Sequence, residues 1–173
     1  MKVTRRTLFS ICAGLLGFMV SAQSFAGNPV VTVKLWDKGS EAMGMLGNGM
    51  MQGMGMTHGN GADPVMGINA TPGAIPAGKV TLEVTNSSKD FVHEMVISPV
   101  KSPDQPLPYN ASTQMVDEEA AGHLGEVAEL EPGKSGALRL TLKPGTYILY
   151  CNVPGHYALG MWTLINVTGK PAT

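Results

Sequence analysis

Short stretches of alternating apolar and polar residues, separated by Gly/Pro turns, run through most of the chain. Residues 30–36 set Val31, Val33 and Leu35 against Thr32 and Lys34, the period of two that marks a half-buried strand. Residues 79–85 repeat it with Val80, Leu82 and Val84, and residues 137–142 with Leu138, Leu140 and Leu142. Shorter apolar runs predict strands at 66–69, 92–97, 146–151 and 161–167. Turn chemistry falls at 71–73, 75–78, 131–134 and 143–145, where Pro and Gly cluster. Residues 98–112 are rich in Pro and polar groups and predict a loop, and 113–124 predict a short helix. About seven or eight strands in about 110 residues, with almost no helical period, imply an all-β fold, a Greek-key β-sandwich.

One segment breaks this pattern. From residue 43 to residue 66 seven Met alternate irregularly with Gly, and His58 sits among them. Gly at this density weakens helix and strand alike. Residues 39–63 therefore predict a flexible Met/Gly-rich insertion. A plain linker is one reading, and a Met-lined docking surface another. Linkers usually use Ser, Gln and charge, however, whereas thioethers are soft ligands that select Cu(I). The candidate Cu(I) ligands are Met50, Met51, Met54, Met56 and His58, then Met43 and Met45.

The first 26 residues read as a cleaved export signal. Lys2, Arg5 and Arg6 precede an apolar run, Leu8 to Val20, too short to span a bilayer. Ser24-Phe25-Ala26 is a small-x-small cleavage site, which leaves residues 27–173 as one domain without a membrane span. Arg5-Arg6 resembles a twin-arginine signal, and a general secretory signal fits equally. Either route predicts the periplasm. Cleavage takes away three positive charges, so the formal net charge goes from −1 to −4. An acidic chain argues against nucleic acid as a partner. Cys12 leaves with the signal, so Cys151 is the one cysteine of the mature chain and no internal disulfide can form. A lone Cys in an exported protein is a buried hydrophobe or a ligand.

The surroundings of Cys151 favour the ligand. Cys151, His156 and Met161 follow one another with four residues between each pair, and His93 stands on an earlier predicted strand. A thiolate, two imidazoles and a weak thioether are the ligand set of a blue-copper electron-transfer site. Each residue alone has a plainer reading, His93 as a strand histidine and Met161 as core; the constellation lifts them together. His123 with Glu119 and Glu126 reads as a solvated helix face.

This order and spacing, with the stretch Ala77 to Thr81, Thr85-Asn86 and then His93, resembles the cupredoxin family of type 1 copper proteins, with rusticyanin-like spacers. The resemblance covers roughly residues 28–168. It implies one type 1 copper held by His93, Cys151 and His156 as equatorial ligands and Met161 as the weak axial one. It also implies an apolar rim of Pro154, Tyr157, Ala158 and Leu159 where a redox partner protein docks. Many cupredoxins carry Asn directly after the first His; here Glu94 stands there. The expected function is that of a monomeric electron carrier, not an enzyme. The Met-rich insertion makes it similar to cupredoxins of copper tolerance; a dedicated respiratory or photosynthetic shuttle is the alternative. Four His are too few for a multicopper oxidase, and one Cys excludes a binuclear copper loop.

Overall fold

A computed structural model describes residues 27–40 and 64–169. The expected export signal and the insertion ligands Met43, Met45, Met50, Met51, Met54, Met56 and His58 lie outside the described residues. In chain order the strands are β1 (Val30–Asp37), β2 (Met66–Thr71), β3 (Ala74–Pro76), β4 (Gly78–Asn86), β5 (His93–Val100), β6 (Tyr109–Asn110) and β7 (Met115–Val116). After one helical turn, α1 (Glu118–Ala121), come β8 (Gly125–Leu130), β9 (Ser135–Leu142), β10 (Gly145–Tyr150) and β11 (Trp162–Thr168). Two sheets form the sandwich, ordered β2-β1-β4-β9 and β3-β11-β10-β5-β8, and β6-β7 is a separate hairpin. The chain crosses from the first sheet to the second after β2, after β4 and after β9, and returns after β3 and after β8, as in a Greek-key sandwich. Among the described residues no helix is long and apolar enough to cross a membrane.

The alternation in the sequence is the alternation of faces. Val31, Val33, Leu35, Leu82 and Val84 are fully buried between the sheets, against Met95, Ile97, Leu149 and Ile165 from the other side. Each such side chain contributes about 1.5–3 kcal/mol on burial. Met66, numbered among the Met-rich stretch, belongs to this core at the head of β2. A second apolar cluster lies on the outer face of the second sheet. There Leu107, Val116 and Tyr157 cover Val96, Val100, Ile148, Tyr150 and Trp162. Strand β5 is thus buried on both faces, which explains its near-continuous apolar run. Its odd residues, His93, Met95 and Ile97, face the main core, and Glu94, Val96 and Ser98 face the second cluster.

Three elements differ from expectation. Strand β8 shows no clean alternation, because a register shift between His93 and Met95 breaks the period where it pairs with β5. Strand β3 reads as a turn; it is a three-residue edge strand paired with β11, where Pro76 is tolerated. The helix expected over 113–124 shrinks to α1. Met115 and Val116 are claimed by the β6-β7 hairpin, Asp117 caps the turn through Ala120 N–H, and Gly122 ends it at φ 66°.

Candidate metal centre

The centre is built at one end of the sandwich, where the inner face of the second sheet runs out. His93 is the first residue of β5 and Cys151 follows the last residue of β10; both are 0% exposed. The approach to His93 is fixed by Asn86, which points inward at the end of β4. Its amide donates to the carbonyls of Phe91 (2.8 Å) and Leu130 (2.7 Å), and its Oδ1 accepts Ser88 N–H (2.9 Å).

The loop from Cys151 to Met161 closes on itself through its backbone. Cys151 N–H donates to the Met161 carbonyl (3.0 Å), and Met161 N–H donates to the His156 carbonyl (3.1 Å). Gly155 at φ 85° and Gly160 at φ 89° supply the left-handed backbone that such a tight loop needs. Met161, 0% exposed, is therefore tied by main-chain bonds to both Cys151 and His156. Asn152 locks the loop from outside: its Oδ1 accepts Val116 N–H (2.6 Å), and its amide donates to Val116 O (3.1 Å) and Glu118 Oε1 (2.8 Å).

Three donor atoms meet. His93 Nδ1 and His156 Nδ1 lie 3.2 Å apart, with Cys151 Sγ 3.3 Å from the second and 4.0 Å from the first. All three residues are buried, and their ligand atoms lie within 4.8 Å of one another. The Cys151 sulfur also receives Glu94 N–H at 3.5 Å. The tautomer of His93 follows from its outer nitrogen. His93 Nε2 stands 2.8 Å from Asp37 Oδ2, and a carboxylate only accepts, so Nε2 carries the proton and Nδ1 turns a lone pair inward.

Burial dominates the electrostatics. It pushes the Cys151 thiol up to about 12, against which the amides of Glu94 and Val153 work. Burial first and His93 second push His156 down to about 4. His93 is lowered by burial although Asp37 opposes the shift. Burial alone would raise the Asp37 carboxyl, but hydrogen bonds from Ser88, His93 and Gly39 outweigh it and hold it below the usual range. Without a cation the pocket thus holds a neutral thiol and two neutral imidazoles. A soft cation is what converts that set to a thiolate and two lone-pair donors, because the ion's own charge repays the burial of the thiolate. The chemistry and convergence of the three donors fit a type 1 copper.

Glu94 occupies the other face of β5, 7% exposed. Burial, then Glu118, Glu126 and Glu129, raise its carboxyl to about 7. The expected docking rim is smaller than the sequence implies. Pro154 is exposed, but Ala158 and Leu159 are buried, and Tyr157 turns inward, its hydroxyl accepting Leu107 N–H at 3.0 Å and its ring edge against Tyr150. Of the four expected ligands only His156 has any exposure, 7%, and the ring of Phe91 stands edge-on to it at 6.5 Å. His123 pairs loosely with Glu118 (3.4 Å) on a half-exposed face. Sequence reasoning missed Asp37, which only the packing of the two sheets brings to the centre, and Asn152, which sits beside Cys151 in the chain but gave no sign of its bonds to Val116 and Glu118.

No family model matches the chain, and no curated protein matches it. Solved structures do. Reduced auracyanin from the photosynthetic bacterium Roseiflexus castenholzii is 26% identical over 54% of this chain and 81% of its own, with a TM-score of 0.41. Rusticyanin from Thiobacillus ferrooxidans is 19% identical over 80% of this chain and 75% of its own, with a TM-score of 0.49. Auracyanin B is 27% identical over 57% and 79%, with a TM-score of 0.44. These neighbours are cupredoxins, the family that the ligand spacing resembles.

Proposed function

We propose that the chain is a periplasmic type 1 copper protein that carries single electrons, in the service of copper tolerance. The observation that supports this most is the meeting of His93 Nδ1, His156 Nδ1 and Cys151 Sγ in a buried pocket whose outer hydrogen bond presets the His93 tautomer. Met161, held between two of these residues by its backbone, would supply a weak fourth ligand in this reading. Bound copper supplies a one-electron couple between Cu(I) and Cu(II). The chain's part is to hold the ligands still, so that little rearranges when the electron moves, and to exclude water. His156, beside Phe91 and near the exposed Pro154, is where the electron enters and leaves, and a redox partner docks there. Catalytic residues play no part in this reading.

Copper tolerance rests on the sequence of the insertion. A plain shuttle has no need of Met43, Met45, Met50, Met51, Met54, Met56 and His58, whereas thioethers on one segment can gather Cu(I). The charge pattern at residues 1–26 supports export, by the twin-arginine or the general route.

The visible spectrum of the mature chain with one equivalent of Cu(II) tests the centre. An intense thiolate-to-copper band that vanishes in Cys151→Ala is expected; its absence from the wild type would sink the reading. Deleting the gene separates the roles. Copper sensitivity with normal respiration supports tolerance, and a respiratory defect without sensitivity refutes it in favour of a dedicated shuttle.

A further inference from the structure

The two histidines of the centre are held in unlike ways. His93 is gripped from behind by Asp37, which comes from the end of β1 in the opposite sheet, 56 residues earlier in the chain. The Asp37 side chain is 1% exposed. It is also held by others: its Oδ1 accepts Gly39 N–H at 2.7 Å, and Ser88 hydrogen-bonds to its carboxylate. Ser88 Oγ in turn accepts the N–H groups of Phe91 (2.8 Å) and Asp90 (3.1 Å), which belong to the turn leading into His93. Asp37 therefore fixes the ring of His93 directly and the backbone entering it through Ser88. A buried carboxylate that accepts from three donors is an anion in a fixed place, one imidazole ring from the centre.

We propose that Asp37 is a positioning residue that tunes the centre: it presets the His93 tautomer and, by its charge, favours the oxidised over the reduced copper ion. This rests on the copper reading given above. A carboxylate that accepts the outer proton of a ligating imidazole makes the inner nitrogen a stronger donor. Its negative charge lies close to the metal and is buried, so it is weakly screened. Both effects help the doubly charged ion more than the singly charged one. Asp37 thereby lowers the reduction potential of the centre. It also staples the two sheets at the end of the sandwich where the ion sits.

The full mature chain carrying Asp37→Asn tests this. The Asn carbonyl can still accept from His93 Nε2, so the variant removes charge while keeping the bond. Cu(II) and Cu(I) affinities are measured by competition with chelators, and the midpoint potential by titrating the visible band. The expected loss of Cu(II) affinity is about 10–100-fold, with a smaller loss for Cu(I). Each tenfold difference between the two losses raises the one-electron potential by ~59 mV. An unchanged potential, with both affinities kept or both reduced by one factor, would overturn the proposal and leave Asp37 as scaffold. Should the variant fail to fold, nitrogen NMR of the metal-free wild type decides: a proton on His93 Nε2 and a bare Nδ1 support it, and a proton on Nδ1 overturns it. A wild type with no thiolate band would defeat the copper reading and this inference together. A normal wild-type band with an unaltered Asp37→Asn potential would defeat this inference alone.

Discussion

Replacing Glu94 by Gln in the metal-free chain should turn a flat profile of stability against pH into a sloping one. Two buried groups pull that profile in opposite directions. His156, ordinarily near 6.5, is held down at about 4 by burial and by His93. From pH 6.5 to 4 the unfolded chain takes up a proton there that the folded chain refuses, so stability falls as the pH falls. Glu94, ordinarily near 4.5, is held up at about 7 by burial and its acidic neighbours. From pH 7 to 4.5 the folded chain takes up a proton that the unfolded chain refuses, so stability rises as the pH falls. Each gap is about 2.5 pH units wide, at most about 3.5 kcal/mol at ~1.4 kcal/mol per unit.

The two effects offset each other across pH 6.5–4.5, and the wild type should change by no more than about 1 kcal/mol there. Gln keeps the shape of Glu94 and can still accept from the backbone of Asn152, which touches this carboxyl. It cannot titrate, so the His156 effect is left uncovered; the smaller effect of His93 runs in the same direction in wild type and variant alike, so it does not enter the difference between them. Urea unfolding at pH 7 and pH 4.5, with chelator present and read by the fluorescence of Trp36 and Trp162, measures this. A loss of about 2–3 kcal/mol on acidification is expected for Glu94→Gln. A variant whose profile runs parallel to the wild type would refute the opposition of the two groups.

Two further outcomes follow from the same geometry. Asn86→Ala strips the half-buried carbonyls of Phe91 and Leu130 of the Asn86 amide and buried Ser88 N–H of its acceptor; urea unfolding should show a loss of about 2–4 kcal/mol, and a loss under about 0.5 would show that the approach to His93 is held by something else. Met161→Leu keeps an apolar side chain of similar size, so the chain should lose less than about 1.5 kcal/mol and retain the thiolate-to-copper band. On the proposed reading the reduction potential of Met161→Leu should rise, since a thioether ligand would be lost, and an unmoved potential would remove Met161 from the ligand set.

What could be read from the residues alone depended on whether the signal was local. Strands β1, β4 and β9 announce themselves because one face of each is core and the other is not. Strand β8 does not, because the bulge opposite His93 gives it no steady period. The donor residues were legible as types at a spacing, and the fold brings His93, Cys151 and His156 into one pocket. Spacing could not say which way a loop residue points. Tyr157 directly follows His156 in the chain, yet its hydroxyl is taken by Leu107 N–H and its ring by the second apolar cluster. Asp37 reads as the polar end of a strand, and nothing within 50 residues of it names His93 as its partner. Glu94 stood out as an unusual neighbour of His93, but its burial follows from β5 being covered on both sides.

The placement of the donors ties copper to folding. Cys151 and His156 belong to one loop, so they can meet in a chain that is otherwise loose. His93 reaches them only when β5 pairs with β10, and it is aligned only when β1 of the other sheet delivers Asp37. Copper bound by all three therefore binds the folded sandwich far better than the open chain, and its binding free energy adds to the stability of the fold by mass action. The linkage runs the other way as well. Loosening the sandwich at β1 removes the acceptor of His93 Nε2. The end of β1 is also where residues 38 and 65, on either side of the Met-rich insertion, are hydrogen-bonded to each other at 2.8 Å. That bond lies next in the chain to Asp37, whose carboxylate accepts from His93.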